Sequence, residues 1–130
     1  MNNYVLKHYG KILHIFEPLY RINYYFITAK NWKETKKFIE TYFKVDLKPK
    51  RDGDKDGYFC VLNKYKTDVG VIWARKNDHI NLAHEIMHAV FWAMYERGID
   101  LSFEGEEAFT YLHTFLMRSI LIGDIRKIKA

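Results

Sequence analysis

From Ile12 to Thr28 the chain reads ILHIFEPLYRINYYFIT, a run of β-branched and aromatic residues interrupted at Pro18. That pattern predicts one or two strands meeting at a turn near the proline. Between Lys30 and Lys44 the period changes. Trp32, Thr35/Lys36, Phe38/Ile39 and Tyr42/Phe43 recur at three-to-four spacing, which predicts an amphipathic helix with Asn31 as its N-cap. Leu47 to Gly57, LKPKRDGDKDG, combines Pro, Gly and dense charge and predicts a solvated loop. Tyr58 to Asn63 and Asp68 to Arg75 are β-rich runs separated by Lys64 to Thr67, most simply a hairpin. The remainder has helical periodicity. One helix, capped by Asn77 or Asp78, runs to about Arg97 and stops at Gly98, and a second runs from about Glu104 to Ile122 and stops at Gly123.

The order strands, helix, hairpin, helix, helix predicts an α+β domain rather than an alternating parallel-sheet fold. Its expected parts are N-terminal strands, helix and charged loop over 1–57, a β-hairpin over 58–75, and helices over 77–97 and 104–122. At 130 residues and 48% hydrophobic composition, the chain has material for one core. Its single cysteine, Cys60, excludes an internal disulfide and a cysteine zinc cage, so any metal must be held by His, Asp or Glu. A net charge of +5 without a long Lys/Arg run argues against a dedicated nucleic-acid interface. No stretch of about 18 apolar residues and no signal-peptide pattern occurs, so a soluble, cytoplasmic protein without a membrane span is expected.

Three of the six histidines, His79, His84 and His88, fall within ten residues. His84-Glu85-Ile86-Met87-His88 is an H-E-x-x-H pattern inside a helical run. Four residues turn a helix by about 400°, so the two histidines project from one face and can ligate one metal. Glu85 lies near that face, within reach of a metal-activated water. Ile80, Ala83, Met87, Val90, Phe91 and Met94 place the motif on a half-buried helix. A single histidine on an apolar face is ordinarily a core residue, and shuffling this composition yields the pattern in roughly one chain in sixty. A further feature supports the metal reading. Glu106 and Glu107 open the next helix, with 17 and 18 residues intervening after His88. A helical hairpin closed by Gly98 to Phe103 would return either carboxylate toward the histidines.

The residues AHEIMHAVFWAMYERGID followed by EGEEAFTYLHTFL resemble the two-helix core of gluzincin-type zinc metallopeptidases, in particular small zincin-like proteins encoded by phages and prophages. The resemblance covers about Asp68 to Ile122. It implies a zincin-like domain with a small β-sheet and a C-terminal active-site helix pair, and a bound zinc ion. His84, His88 and Glu107 are implied as its ligands and Glu85 as general base. It further implies peptide-bond hydrolysis of a peptide or protein substrate, with other phage proteins as candidate partners, and Val69 to Ala74 as the edge strand that receives extended peptide. Departures from the family pattern bear on individual roles. Glu106 replaces an Asn, and Thr110 and Tyr111 stand where Ser and Asp follow in large gluzincins. No histidine follows His113, so Tyr111 or His113 would have to stabilise the oxyanion. The alternative within the same fold is a catalytically silent virion or accessory protein whose zinc is structural.

Other patterns carry less. Asp52, Asp54, Asp56 and Gly57 match half of an EF-hand loop, but Cys60 and Asn63 stand at its ninth and twelfth positions, where a bidentate glutamate is needed at the twelfth. Cys60 sits in an apolar alternation and reads as a small core residue. His8 and His14 have no spacing partner, Lys48, Lys50 and Arg51 read as loop solvation, and Tyr20 to Phe26 as strand packing.

Overall fold

The computed structural model describes residues 5–9, 12–47, 55–64 and 67–122. Within them lie β1 (Val5–Tyr9), β2 (Ile12–Glu17), β3 (Ile22–Ile27), α1 (Trp32–Phe43), β4 (Gly57–Lys64), β5 (Thr67–Ala74), α2 (His79–Glu96) and α3 (Glu106–Leu121). The fold is α+β. The aromatic run around Pro18 forms two strands, with Arg21 turning the chain between them at a φ of 58°. β1 was not predicted: the hydrophobic pattern is strong only from Ile12 onward, and VLKHY becomes a strand by pairing with β2, Val5 against Phe16 through Tyr9 against Ile12.

One mixed sheet contains all five strands, in the order β1-β2-β3-β5-β4. β1, β2 and β3 are antiparallel neighbours, and β4 and β5 form the expected hairpin. The two groups join through a parallel pairing of β3 with β5, from Tyr24 opposite Gly70 to Ile27 opposite Trp73. β5 is therefore interior. The expectation that Val69 to Ala74 forms an edge is corrected: β4 is the outer strand on that side, because the hairpin folds back so that β5, not β4, finds β3.

Strand alternation sends side chains to two apolar layers. Leu13, Ile15, Tyr24, Ile72 and Ala74 face α2 and α3, while Ile12, Ile27, Val71 and Trp73 face α1. The indole of Trp73 is fully buried and donates to the Ala29 carbonyl at 3.0 Å, tying the end of β5 to the chain leaving β3. Asn31 caps α1 as expected, its side chain accepting from the Glu34 amide at 2.8 Å. α2 ends in a Schellman cap, with Gly98 at a φ of 69° and the Ile99 amide donating to Met94. Asp52 and Asp54 lie outside the described residues. Asp56 pairs with Arg75 at 2.7 Å, and Gly57 opens a strand, so the segment that follows is not an EF-hand helix. No described helix is long and apolar enough to cross a membrane.

Gly70 marks where the layers press most closely. A Cβ there would stand 2.9 Å from Tyr24 Cδ1 and 3.1 Å from both Phe59 Cε1 and Trp92 Cζ3. Gly70→Ala is expected to destabilise the protein by about 1–3 kcal/mol through overpacking. Chemical denaturation checks this, and an unchanged midpoint would show that the three rings yield freely.

Candidate metal centre

Asp78 begins α2 by accepting from the Asn81 amide at 3.0 Å, and its carboxyl is held below the usual range by its hydrogen bonds to Asn81. The rotation of the helix is then set by what it buries: Leu82, Glu85, Ile86, Ala89, Val90, Ala93 and Met94. His84 and His88 lie on the opposite, exposed side. Their Nε2 atoms are 3.1 Å apart and their rings meet edge to face. Ile80 was expected on the buried face and is instead 85% exposed, because it precedes the turn of α2 that packs on the sheet; Phe91 is partly exposed and packs against Phe109.

The Glu85 side chain is buried against the start of β4, near enough to His84 and His88 to feel their charge. Gly57 makes room for it: a Cβ at that position would stand 2.8 Å from Glu85 Cγ and 2.9 Å from Oε2. Burial raises the Glu85 carboxyl above the usual carboxylate range, opposed by the nearby charges of His84, His88 and Lys55. A carboxyl so placed is a candidate proton acceptor beside the histidine pair.

Two nitrogens bound to one tetrahedral zinc at ~2.0–2.1 Å stand roughly 3.3 Å apart. The separation of the His84 and His88 nitrogens fits that requirement within a few tenths of an ångström. Glu106 and Glu107 are exposed in the first turn of α3. Among the described residues, no three His, Cys, Asp or Glu side chains are gathered to hold a metal ion. The Phe91 and Phe109 rings, 5.5 Å between centroids, join α2 to α3.

Tyr111 has a different setting from the one expected. Its hydroxyl donates to the Glu17 carboxylate, and its ring packs against Tyr20 and Phe115. Burial first, and the Glu17 carboxylate second, push the Tyr111 hydroxyl far above the usual phenol range. Glu17 is fully buried and also accepts from the amides of Leu19 at 2.9 Å and Tyr20 at 2.7 Å. This carboxylate locks α3 to the turn between β2 and β3. The sequence did not single out Glu17, and it offered Gly57 only as part of the half-matched EF-hand loop. A glutamate directly before a proline at a strand end was the only local sign of Glu17, and the role of Gly57 depends on a contact 28 residues away.

The other candidates lie apart from the histidine pair in the chain. His14 stacks on Tyr25 and shares a 2.8 Å hydrogen bond with Asn23. His8 belongs to β1, His79 is exposed at the first residue of α2, and His113 is half-buried in α3. Burial pushes the Cys60 thiol up to about 11, consistent with a core residue rather than a nucleophile. No protein family, curated protein or solved structure matches the chain.

Tyr111→Phe removes a hydrogen bond to a buried carboxylate and is expected to cost about 1.5–3 kcal/mol of stability. Thermal and denaturant unfolding check it. A variant as stable as the parent would mean that the Glu17 contact does not anchor α3.

Proposed function

We propose that the chain is a zincin-like zinc metallopeptidase that cuts peptide or protein substrates, as the resemblance to small phage-encoded gluzincins implies. The observation that carries this reading is the 3.1 Å approach of His84 Nε2 to His88 Nε2 on an exposed helix face, with the Glu85 carboxyl beside them. His84 and His88 would hold the metal, with Glu107 as the carboxylate ligand from α3. Bound there, zinc supplies Lewis acidity and a water of lowered pKa.

The chain's own groups account for the proton traffic. Glu85 accepts the proton lost by water as it attacks the peptide carbonyl, then donates it to the departing amine nitrogen. Its partly desolvated position favours both halves of that cycle, because a raised carboxyl pKa makes it a stronger base and still able to release the proton. Gly57, without a side chain, lets the carboxyl lie against the strand. Tyr111 acts as a positioning residue, holding the first turns of α3 through Glu17 rather than offering its proton to an oxyanion. An extended substrate would add to β4, the outer strand whose first residue touches Glu85.

Metal analysis and a peptidase assay on the same preparations test the reading. The parent chain is expected to carry close to one zinc, His84→Ala to lose it, and Glu107→Gln to bind it at least ~10-fold more weakly while Glu106→Gln does not. Glu85→Gln is expected to retain zinc and to lose hydrolysis by a factor on the order of 10² or more. Full zinc in His84→Ala would overturn the metal site. Zinc in the parent with no peptide cut by it would instead favour the silent protein with structural zinc.

A further inference from the structure

β3 and β5 are parallel neighbours, and each passes from its carboxyl end into a helix. α1 packs on the face carrying Ile27, Val71 and Trp73, and α2 on the face carrying Ile72 and Ala74. Where the connections of two adjacent parallel strands diverge to opposite faces, nothing crosses the strand ends and a crevice opens between them. The intervening β4 does not close it, because β4 joins the sheet on the far side of β5.

The crevice is a cavity of about 740 Å³. That lies within the ~300–1,000 Å³ range of small-molecule sites. Phe26, Ile27, Leu82 and Ile120 give it an apolar lining. Lys30, Arg75 and Lys76 bring three cations to it, against the two carboxylates of Glu34 and Asp78. Both Asp78 oxygens are engaged by Asn81, at 3.0 Å to its amide and 2.6 Å to its side chain, so that carboxylate serves the helix. Arg75 is held by Asp56 and by the Lys30 carbonyl, whereas Lys30 and Lys76 are exposed. α1 and α2 also begin at this cavity, where Glu34 in the first turn of α1 and the Asp78 cap of α2 balance the positive ends of the two helix dipoles, leaving Lys30 and Lys76 to face an anion. None of His84, Glu85, His88 and Glu107 lines it.

We propose that this crevice binds a small organic anion, a carboxylate or phosphate ester carried on an apolar body. The apolar part lies on Phe26, Leu82 and Ile120, and the anionic group meets Lys30 and Lys76. The site is separate from the metal centre and does not depend on peptidase activity.

Titration of the full chain with 1-naphthoate, 1-naphthyl phosphate and the neutral 1-naphthalenemethanol, followed by amide NMR shifts, tests it. Saturable shifts confined to residues 26–30, 74–79 and 120–121 are expected for at least one anion, with the alcohol about tenfold weaker or more. The double variant Lys30→Gln/Lys76→Gln replaces exposed side chains and is expected to weaken the anion about tenfold while leaving the alcohol unchanged. Tighter naphthoate identifies a carboxylate ligand and tighter naphthyl phosphate a phosphate ester. Absence of saturable shifts, shifts centred elsewhere, equal binding of the alcohol, or no effect of the double variant would overturn the proposal.

Discussion

The rotation of α2 on the sheet is the constraint from which the rest follows. Leu82, Ile86, Val90 and Met94 are buried between the sheet and α3. Each such side chain contributes about 1.5–3 kcal/mol by leaving water. Turning the helix by one residue, about 100°, would expose part of that row and drive polar side chains inward. The apolar row therefore decides where the chemistry points: two imidazoles outward, one carboxylate toward β4. The histidines need no further device to converge, since their four-residue spacing already places them one turn apart.

That rotation succeeds only because the neighbouring elements yield space and anchorage. Gly57 leaves room for Glu85 at the first residue of β4, and Gly70 admits Tyr24, Phe59 and Trp92 where the sheet meets α2. On the other side of the sheet, Trp73 and Trp32 pack α1 against β5, so both ends of the hairpin are held. At the far end of α2, Arg97 donates to the Tyr20 carbonyl at 3.2 Å, and Tyr111 reaches Glu17 from α3. The turn between β2 and β3 thus serves as a fixed point for both C-terminal helices.

Much of this was legible in the sequence, for a local reason. Asn31 and Asp78 cap their helices, Gly98 ends α2, and the 58–75 hairpin pairs as its alternation predicts, because each depends on residues close in the chain. The H-E-x-x-H spacing likewise needs only the geometry of one helix. What escaped depends on tertiary pairing. β1 owes its strand to β2, the interior place of β5 follows from its pairing with β3, and the tie between Tyr111 and Glu17 spans 94 residues. Ile80 looked like a core position by periodicity, yet the packed part of α2 begins at Leu82.

The paired imidazoles of α2 are proposed here to bind zinc. X-ray absorption at the zinc edge of the loaded chain tests it most directly, because it reports the ligating atoms themselves. Two imidazole nitrogens at ~2.0–2.1 Å, completed by oxygen donors, are expected. A first shell without histidine, or one containing a sulfur at ~2.3 Å from Cys60, would contradict it.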